Sequence, residues 1–310
     1  MAVTRAVTQP PPKVHALGRD RHHLLHDFEG LEEVVLFPGA DSEPIPNGSA
    51  WIFAEQASYE PEILENDVGC GMSAFYIERL DDEKRQRAAD AAARIIQETG
   101  AFGRGNHFVD FCTDLTFIEQ ETDSDLDILL IHSDMSADKR SPATLEDAQA
   151  RTRTASERRY DLAERIARAG AFTLYESMGD WPHSTIEVRG DGKHVYRKGL
   201  VRAEENRLYA LPAGIGQPII LYTLHSGRTP PAHSMPHATG RSGRRGATKV
   251  SIEHAREIRE SVYVPQTIRD ASLRTEHPSC FASFDAIFEH LSRYMVPQGE
   301  MRIAAYIGKI

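Results

Sequence analysis

The stretch Asn66-Asp67-Val68-Gly69-Cys70-Gly71-Met72 places a carboxylate and a thiol three residues apart, with glycines between and beside them. Glycine permits close backbone approach and positive φ, so both side chains can turn toward one point. A carboxylate and a thiolate converging on one point suit a metal ion. A buried cysteine at the head of a strand beside a capping aspartate would account for the same residues. The run Ser73-Ala74-Phe75-Tyr76-Ile77 that follows reads as a strand, which puts Cys70 at its start.

Working outward, four single histidines favour the metal reading, each in a turn that carries Gly or Ser. His107 follows Gly103-Arg104-Gly105-Asn106 and leads into the strand-like Phe108-Val109-Asp110-Phe111. His132, with Ser133, ends the apolar strand Leu126-Asp127-Ile128-Leu129-Leu130-Ile131. His183 stands in Asp180-Trp181-Pro182-His183-Ser184, and His237 opens His237-Ala238-Thr239-Gly240-Arg241. A lone histidine at a strand end is usually structural, so it is the set that carries chemical content.

The 310 residues have 40% hydrophobic and 26% charged side chains, as expected of a soluble globular chain. No apolar run approaches the roughly 20 residues of a membrane span. Residues 1–20 hold basic residues and Pro10-Pro11-Pro12 but no apolar signal region, and read as a flexible or extended arm. Three cysteines, odd in number and far apart, argue against a disulfide framework and for a cytosolic compartment. Net charge is −10, which by itself disfavours nucleic acid. Between Glu205 and Glu253, however, there is no acid, while Arg207, Arg228, Arg241, Arg244, Arg245 and Lys249 all fall there. A basic surface on an acidic protein suits a phosphate-bearing ligand, although a solvated loop face is the plainer reading.

Strands are predicted over 33–37 and 50–53, split by an exposed loop carrying Pro44, Pro46, Asn47 and Gly48. Helices are predicted from Asp81 to Thr99, closed by Gly100, and from Thr144 to Ala169, stopped by Gly170. Thr144 with Asp147 resembles a capping box, and this Arg-dense helix carries no convincing chemistry. Short strands fall around 194–199 and 207–211, and Pro212 to Gly216 forms a tight turn before the strand Pro218 to Leu224. Ser251 or a neighbour caps a helix running to Val262. Phe281, Phe284, Ile287, Phe288 and Leu291 form a core-facing stripe ended by Pro297, and a last strand covers 302–307. No repeat or composition shift divides the chain, so one domain over 1–310 is expected.

Taken together, Asp67-Val68-Gly69-Cys70-Gly71-Met72, Gly105-Asn106-His107-Phe108, Ile131-His132-Ser133, His183, Arg197-Lys198-Gly199, His237-Ala238-Thr239-Gly240-Arg241 and Gly308-Lys309 resemble the RtcB family of RNA-splicing ligases, in the same order. The likeness runs from about residue 64 to the end of the chain, and its first and second motifs together are highly specific. The resemblance implies an α+β fold in which mixed and antiparallel sheets, wrapped by helices, surround a central metal and nucleotide cleft. It implies a manganese- and GTP-dependent ligase that joins an RNA 2′,3′-cyclic phosphate or 3′-phosphate to a 5′-hydroxyl in RNA repair or tRNA splicing. By the same resemblance, Cys70, His107 and His183 would hold one Mn²⁺, and Asp67, Cys70 and His132 the other, with the thiolate bridging. His237 would be the nucleophile that takes GMP. Lys309 and Asp110 would read guanine, while Asn106, Arg241 and the backbone of Ala238, Thr239 and Gly240 would hold phosphate and ribose. Arg241, Arg244, Arg245 and Lys249 would contact the RNA backbone. Manganese enters through the resemblance only, since a Cys/His donor set suits zinc or cobalt equally.

The chain departs from the family pattern after His132 (Ser133-Asp134-Met135-Ser136-Ala137), at Ser184, in Pro212-Ala213-Gly214-Ile215-Gly216, in the Ala-Thr after His237, at Arg244-Arg245 and at Asp110. These departures cluster on nucleotide and RNA contacts and leave the metal ligands and the nucleophile in place. Two other functions use the same residues. A metal-dependent phosphoesterase or nuclease would need the metal cluster but neither His237 nor Lys309. A non-catalytic RNA-end-binding protein would need no additional histidine in a Gly/Arg turn.

Overall fold

The computed structural model describes residues 11–18, 24, 27–41, 43–65, 67–100, 102, 106–118, 125–134, 141–243 and 248–308. The chain begins with strands β1 (Lys13–Ala16), β2 (Leu31–Leu36) and β3 (Ser49–Phe53), the short helix α1 (Pro61–Leu64) and β4 (Gly71–Glu78). Helix α2 (Asp82–Thr99), the neighbouring strands β5 (Phe108–Phe117) and β6 (Leu126–Ser133), and the long α3 (Leu145–Gly170) follow. Then come β7 (Leu174–Pro182), β8 (Ser184–Val188), β9 (His194–Lys198), β10 (Leu200–Arg202), β11 (Tyr209–Leu211), β12 (Pro218–Leu224) and β13 (Ser234–Pro236). Helices α4 (Ile252–Ser261), α5 (Asp270–Leu273) and α6 (Phe284–Leu291) lead to the last strand, β14 (Met295–Gly308).

Two principal sheets result. One has seven strands, in the order β11-β12-β14-β5-β6-β4-β7, all antiparallel. The other has five, in the order β1-β2-β3-β9-β8, with only the β1–β2 pair parallel. The α+β class with mixed and antiparallel sheets is therefore observed. Helix α2 packs on α3, β5 and β14, and α3 packs on β4, β6, β7 and β8.

Both faces are buried along β3 and over 34–36 of β2, which is why those stretches are apolar runs rather than alternating ones. Because side chains alternate across a strand, Val34, Leu36, Trp51 and Phe53 enter one cluster with Ile63 and Tyr196. Val35, Ala50 and Ile52 enter the other, which is shared with the seven-stranded sheet. On α2 the buried residues are Ala88, Ala89, Ala91, Ala92, Ala93 and Ile96, so a methyl-thin face lets α3 approach.

Several local expectations hold. Asp81 Oδ1 accepts from Lys84 N at 2.7 Å, and Gly100 is left-handed at φ 60°. Thr144 Oγ1 accepts from Asp147 N at 3.1 Å, but Asp147 reaches back to Ala143 N instead of the cap's own amide. Ser251 Oγ caps α4 through His254 N at 3.2 Å.

Others change. Gly170 does not stop α3: it is the last helical residue, and Ala171 takes the left-handed position at φ 54°. Gly170 is small because a Cβ there would lie 2.9 Å from Ala88 Cβ on α2. The loop before β3 is not uniformly exposed, since Ile45 and Pro46 are buried. Pro297 does not terminate the apolar stripe but lies inside β14, and Phe281 falls outside α6. Of the expected arm over 1–20, the described part supplies β1, an edge strand paired with β2. No helix among the described residues is long and apolar enough to cross a membrane.

The α2–α3 contact depends on small side chains, so Ala88→Leu, opposite Gly170, should overpack it. The expected loss is roughly 1–3 kcal/mol, read as a lower urea midpoint at unchanged slope. An unchanged midpoint would show that the two helices can part without cost.

Candidate metal centre

One row of the seven-stranded sheet builds the site. Across it, Phe108 of β5 pairs with His132 of β6, His132 with Met72 of β4, and Met72 with Trp181 of β7. His107 precedes β5, Cys70 precedes β4 and His183 follows β7, so all of these side chains gather where the row ends. The backbone fixes the join: Cys70 O accepts from His183 N at 2.8 Å and from Ser184 N at 3.2 Å. Cys70 N in turn donates to Asp67 O at 2.8 Å, closing a turn in which Gly69 is left-handed at φ 87°.

Cys70, His132 and His183 are buried and present ligand atoms within 4.8 Å of one another. Cys70 Sγ lies 3.4 Å from His107 Nε2 and 3.4 Å from His132 Nε2. His132 Nε2 and His183 Nε2 are 3.1 Å apart. Two imidazole nitrogens this close need either a proton or a cation between them. His183 Nδ1 is buried and has no hydrogen-bond partner among the described residues. His107 Nδ1 faces the Phe102 carbonyl, an acceptor only, so it carries the proton and leaves Nε2 free for a metal. The tightest group thus draws one histidine from each of the two expected ligand sets.

The electrostatics favour an incoming cation. Burial, with Asp67 and Asp134 beside it, pushes the Cys70 thiol well above its usual range. Burial also raises Asp67, against the opposing pull of buried Lys198 and of His107. Burial holds His132 and His183 well below the ordinary imidazole range, helped by the neighbouring histidines. A protonated thiol among neutral imidazoles and poorly solvated carboxylates is what a soft divalent cation can exchange protons with.

The centre opens into a cavity of about 420 Å³ lined by Asp67, Cys70, Asn106, His107, Asp110, His132, His183, Ser184, His237, Ala238, Gly240 and Arg241. His237 follows β13 and stacks on His183, with ring centroids 3.9 Å apart. Its Nδ1 is 2.6 Å from the Gly199 carbonyl, so Nδ1 donates and Nε2 keeps its lone pair. Burial lowers its pKa and keeps that lone pair unprotonated. Thr239 is fully buried, with its backbone N donating to Pro212 O at 3.0 Å. Asp110 is buried, and its Oδ1 has no hydrogen-bond partner among the described residues. Burial, and secondarily Glu276, holds its carboxyl well above the usual range.

Among the described residues, two members of the expected basic surface are already paired with acids. Arg241 is occupied: Nη2 lies 3.2 Å from both Glu276 oxygens and donates to Asn106 Oδ1 at 3.2 Å, and Nη1 donates to the Thr275 carbonyl. Its guanidinium also covers the Phe281 ring at 4.6 Å. Arg207 pairs with Glu204 at 2.6 Å. Lys249 is exposed and does not line the cavity. Arg244, Arg245 and Lys309, together with Asn66, Gly103–Gly105 and Met135–Ala137, lie outside the described residues.

Sequence reading passed over Glu276, Tyr306, and Gly39, Asp41, Glu43 and Asn47 of the loop before β3, all of which line the cavity. It also assigned Phe281 to the core. None sits in a chemically suggestive local pattern, and tertiary contact alone brings them in. No known protein-family model matches the chain, and no curated protein matches it.

The buried imidazoles give a pH test. His132, His183 and His237 are held below the ordinary value of 6.5, so below that pH the unfolded chain binds more protons and stability falls. Asp67 and Asp110, held high, act in the opposite sense at lower pH because their folded carboxyls take protons first. Metal-free protein should therefore lose more urea stability between about pH 7 and about pH 5 than His183→Gln does. Equal losses in the two proteins would mean that His183 protonates in place.

Proposed function

We propose that this chain is an RNA ligase of the RtcB type, joining an RNA 3′-phosphate or 2′,3′-cyclic phosphate to a 5′-hydroxyl with manganese and GTP. The observation that carries the reading is His237: it is half-buried, held below the ordinary imidazole range, fixed by Gly199 in the tautomer that leaves Nε2 nucleophilic, and stacked on a histidine of the candidate metal centre. A hydrolytic or purely structural metal site does not require a nucleophilic histidine of this kind. The RtcB resemblance adds the reaction class and the choice of manganese, and the donor set Cys70, His107, His132, His183 and Asp67 can hold a divalent transition metal.

On this reading Cys70, His107 and His183 hold one ion, and Asp67, Cys70 and His132 the second. Bound manganese would supply charge neutralisation at phosphate oxygens. The chain's own residues do the rest. His237 Nε2 forms a bond to the α-phosphorus of GTP while the bond to the bridging oxygen breaks and pyrophosphate leaves. Gly199 O stabilises the imidazolium by accepting from Nδ1. An RNA 3′-phosphate oxygen, formed from a cyclic end by water adding to phosphorus as the P–O2′ bond breaks and O2′ takes a proton, then takes the GMP from Nε2, restoring the neutral ring. The 5′-hydroxyl attacks the activated RNA phosphorus, GMP leaves, and the hydroxyl proton passes to solvent or to a nearby base. Dividing the reaction in this way is the benefit of a covalent nucleophile.

Asp110, which lines the cavity, offers a partner for base N–H groups. Arg241 and Asn106 stand together at the cavity, so phosphate binding there requires Arg241 to leave or share Glu276. Lys309 and the RNA-contacting Arg244, Arg245 and Lys249 complete the assignment.

The test is incubation with Mn²⁺ and α-labelled GTP, ATP, CTP and UTP in parallel, scoring acid-labile, base-stable label on protein. GTP alone should label the wild type, and His237→Ala should bind metal but take no label. Label on His237→Ala would place the nucleophile elsewhere, and metal-bound protein that takes no label from any nucleotide would favour a phosphoesterase. Cys70→Ala should lose metal and ligation together, and full activity in that variant would remove the two-metal assignment.

A further inference from the structure

Arg159 lies in the middle of α3, a helix whose sequence carries no convincing chemistry, yet its side chain is 0% exposed. Burying a guanidinium is costly unless each donor is paired. Its five N–H groups all are. Nε donates to Ser73 Oγ at 2.8 Å, Nη1 to Gly69 O at 3.0 Å and Ser133 O at 2.9 Å, and Nη2 to Ser156 Oγ at 3.0 Å and Asp180 Oδ1 at 3.0 Å. Asp180 offsets the charge and is itself held by Ser73 Oγ at 2.5 Å and Ser156 Oγ at 2.7 Å.

The acceptors are not scattered. Gly69 adjoins Cys70, Ser133 adjoins His132, and Asp180 lies on β7 three residues before His183. One guanidinium therefore ties together the separate chain segments that carry the buried Cys70, His132 and His183 group. Gly71 makes room for it, since a Cβ there would lie 2.7 Å from Arg159 Nη2.

We propose that Arg159 is a positioning residue for the metal centre, a planar clamp that holds the three ligand-bearing segments at the spacing the ion requires. The inference rests on the metal-centre reading above and adds to it the group that preorganises the ligands. A point charge cannot replace the clamp: lysine has three donors on one atom and cannot span acceptors on three segments. Partners behind first ligands typically change metal affinity by about 10–100-fold when removed.

Co²⁺ titration of the metal-free full chain tests this through the thiolate-to-cobalt absorption band. Wild type should bind with that band. Arg159→Met and Arg159→Lys should both bind about 10–100-fold more weakly, with the band reduced. Asp180→Ala, at a partly exposed position, keeps the proposal testable if the Arg159 variants do not fold, and should weaken Co²⁺ binding in the same sense. A residue with only a structural role would lower the melting temperature and leave Co²⁺ affinity and the band unchanged, and that result overturns the clamp. Full rescue by lysine also overturns it, by showing that charge suffices. Wild-type protein that takes up no Co²⁺ removes the metal reading itself, and the clamp with it, a result distinguishable from variants that bind as wild type does.

Discussion

Strand register is the constraint on which the site depends. His132 faces Met72 on one side and Phe108 on the other, and Met72 faces Trp181. Because side chains reverse face at every residue, a slip of one position in any of these pairings would turn a ligand away from its partners. The register is held by the apolar strands themselves: Ile128, Leu129, Leu130 and Ile131 of β6 are completely buried, so any slip would expose or misplace them. The core thus sets the geometry of the centre, and the ligands occupy the ends of strands whose positions hydrophobic burial has already decided.

The electrostatic character of the site follows from the same burial. Desolvation acts against every charge there, raising the thiol and the carboxyls and lowering the imidazoles. These groups are individually uncomfortable in their ionised forms and jointly suited to a cation. Arg159 solves the opposite problem on the far side of Cys70, where a buried cation is made tolerable by a complete set of acceptors. Arg241 is likewise matched to Glu276, so the cavity presents a guanidinium already committed to an internal carboxylate. Any anion that uses Arg241 must compete with that contact, which links occupancy of the cavity to the position of the Thr275–Glu276 segment.

Much of the secondary structure was legible locally because it rests on local physics. Asp81, Thr144 and Ser251 cap helices through their own side chains, and alternation or continuity of apolar residues marked β2, β3, β4 and β6. The misreadings came where tertiary packing overrode a local signal. Gly170 looked like a stop and is a contact with Ala88; Pro297 looked like a terminator and sits within β14. Phe281 looked like one more core aromatic, and its ring instead lies beneath Arg241 at the cavity.

The sequence by itself determined which residues are chemically able to form the centre. The glycines around Cys70 and the histidines at strand ends are legible because backbone freedom and donor type are properties of single residues and short runs. Only the tertiary structure decided how those residues combine. It grouped Cys70 with His132 and His183, placed His237 against His183, oriented His237 through Gly199, and drew Arg159 and Glu276 into the surroundings. Each of these pairings joins residues distant along the chain, and their proximity comes from sheet register and burial, which no local pattern encodes.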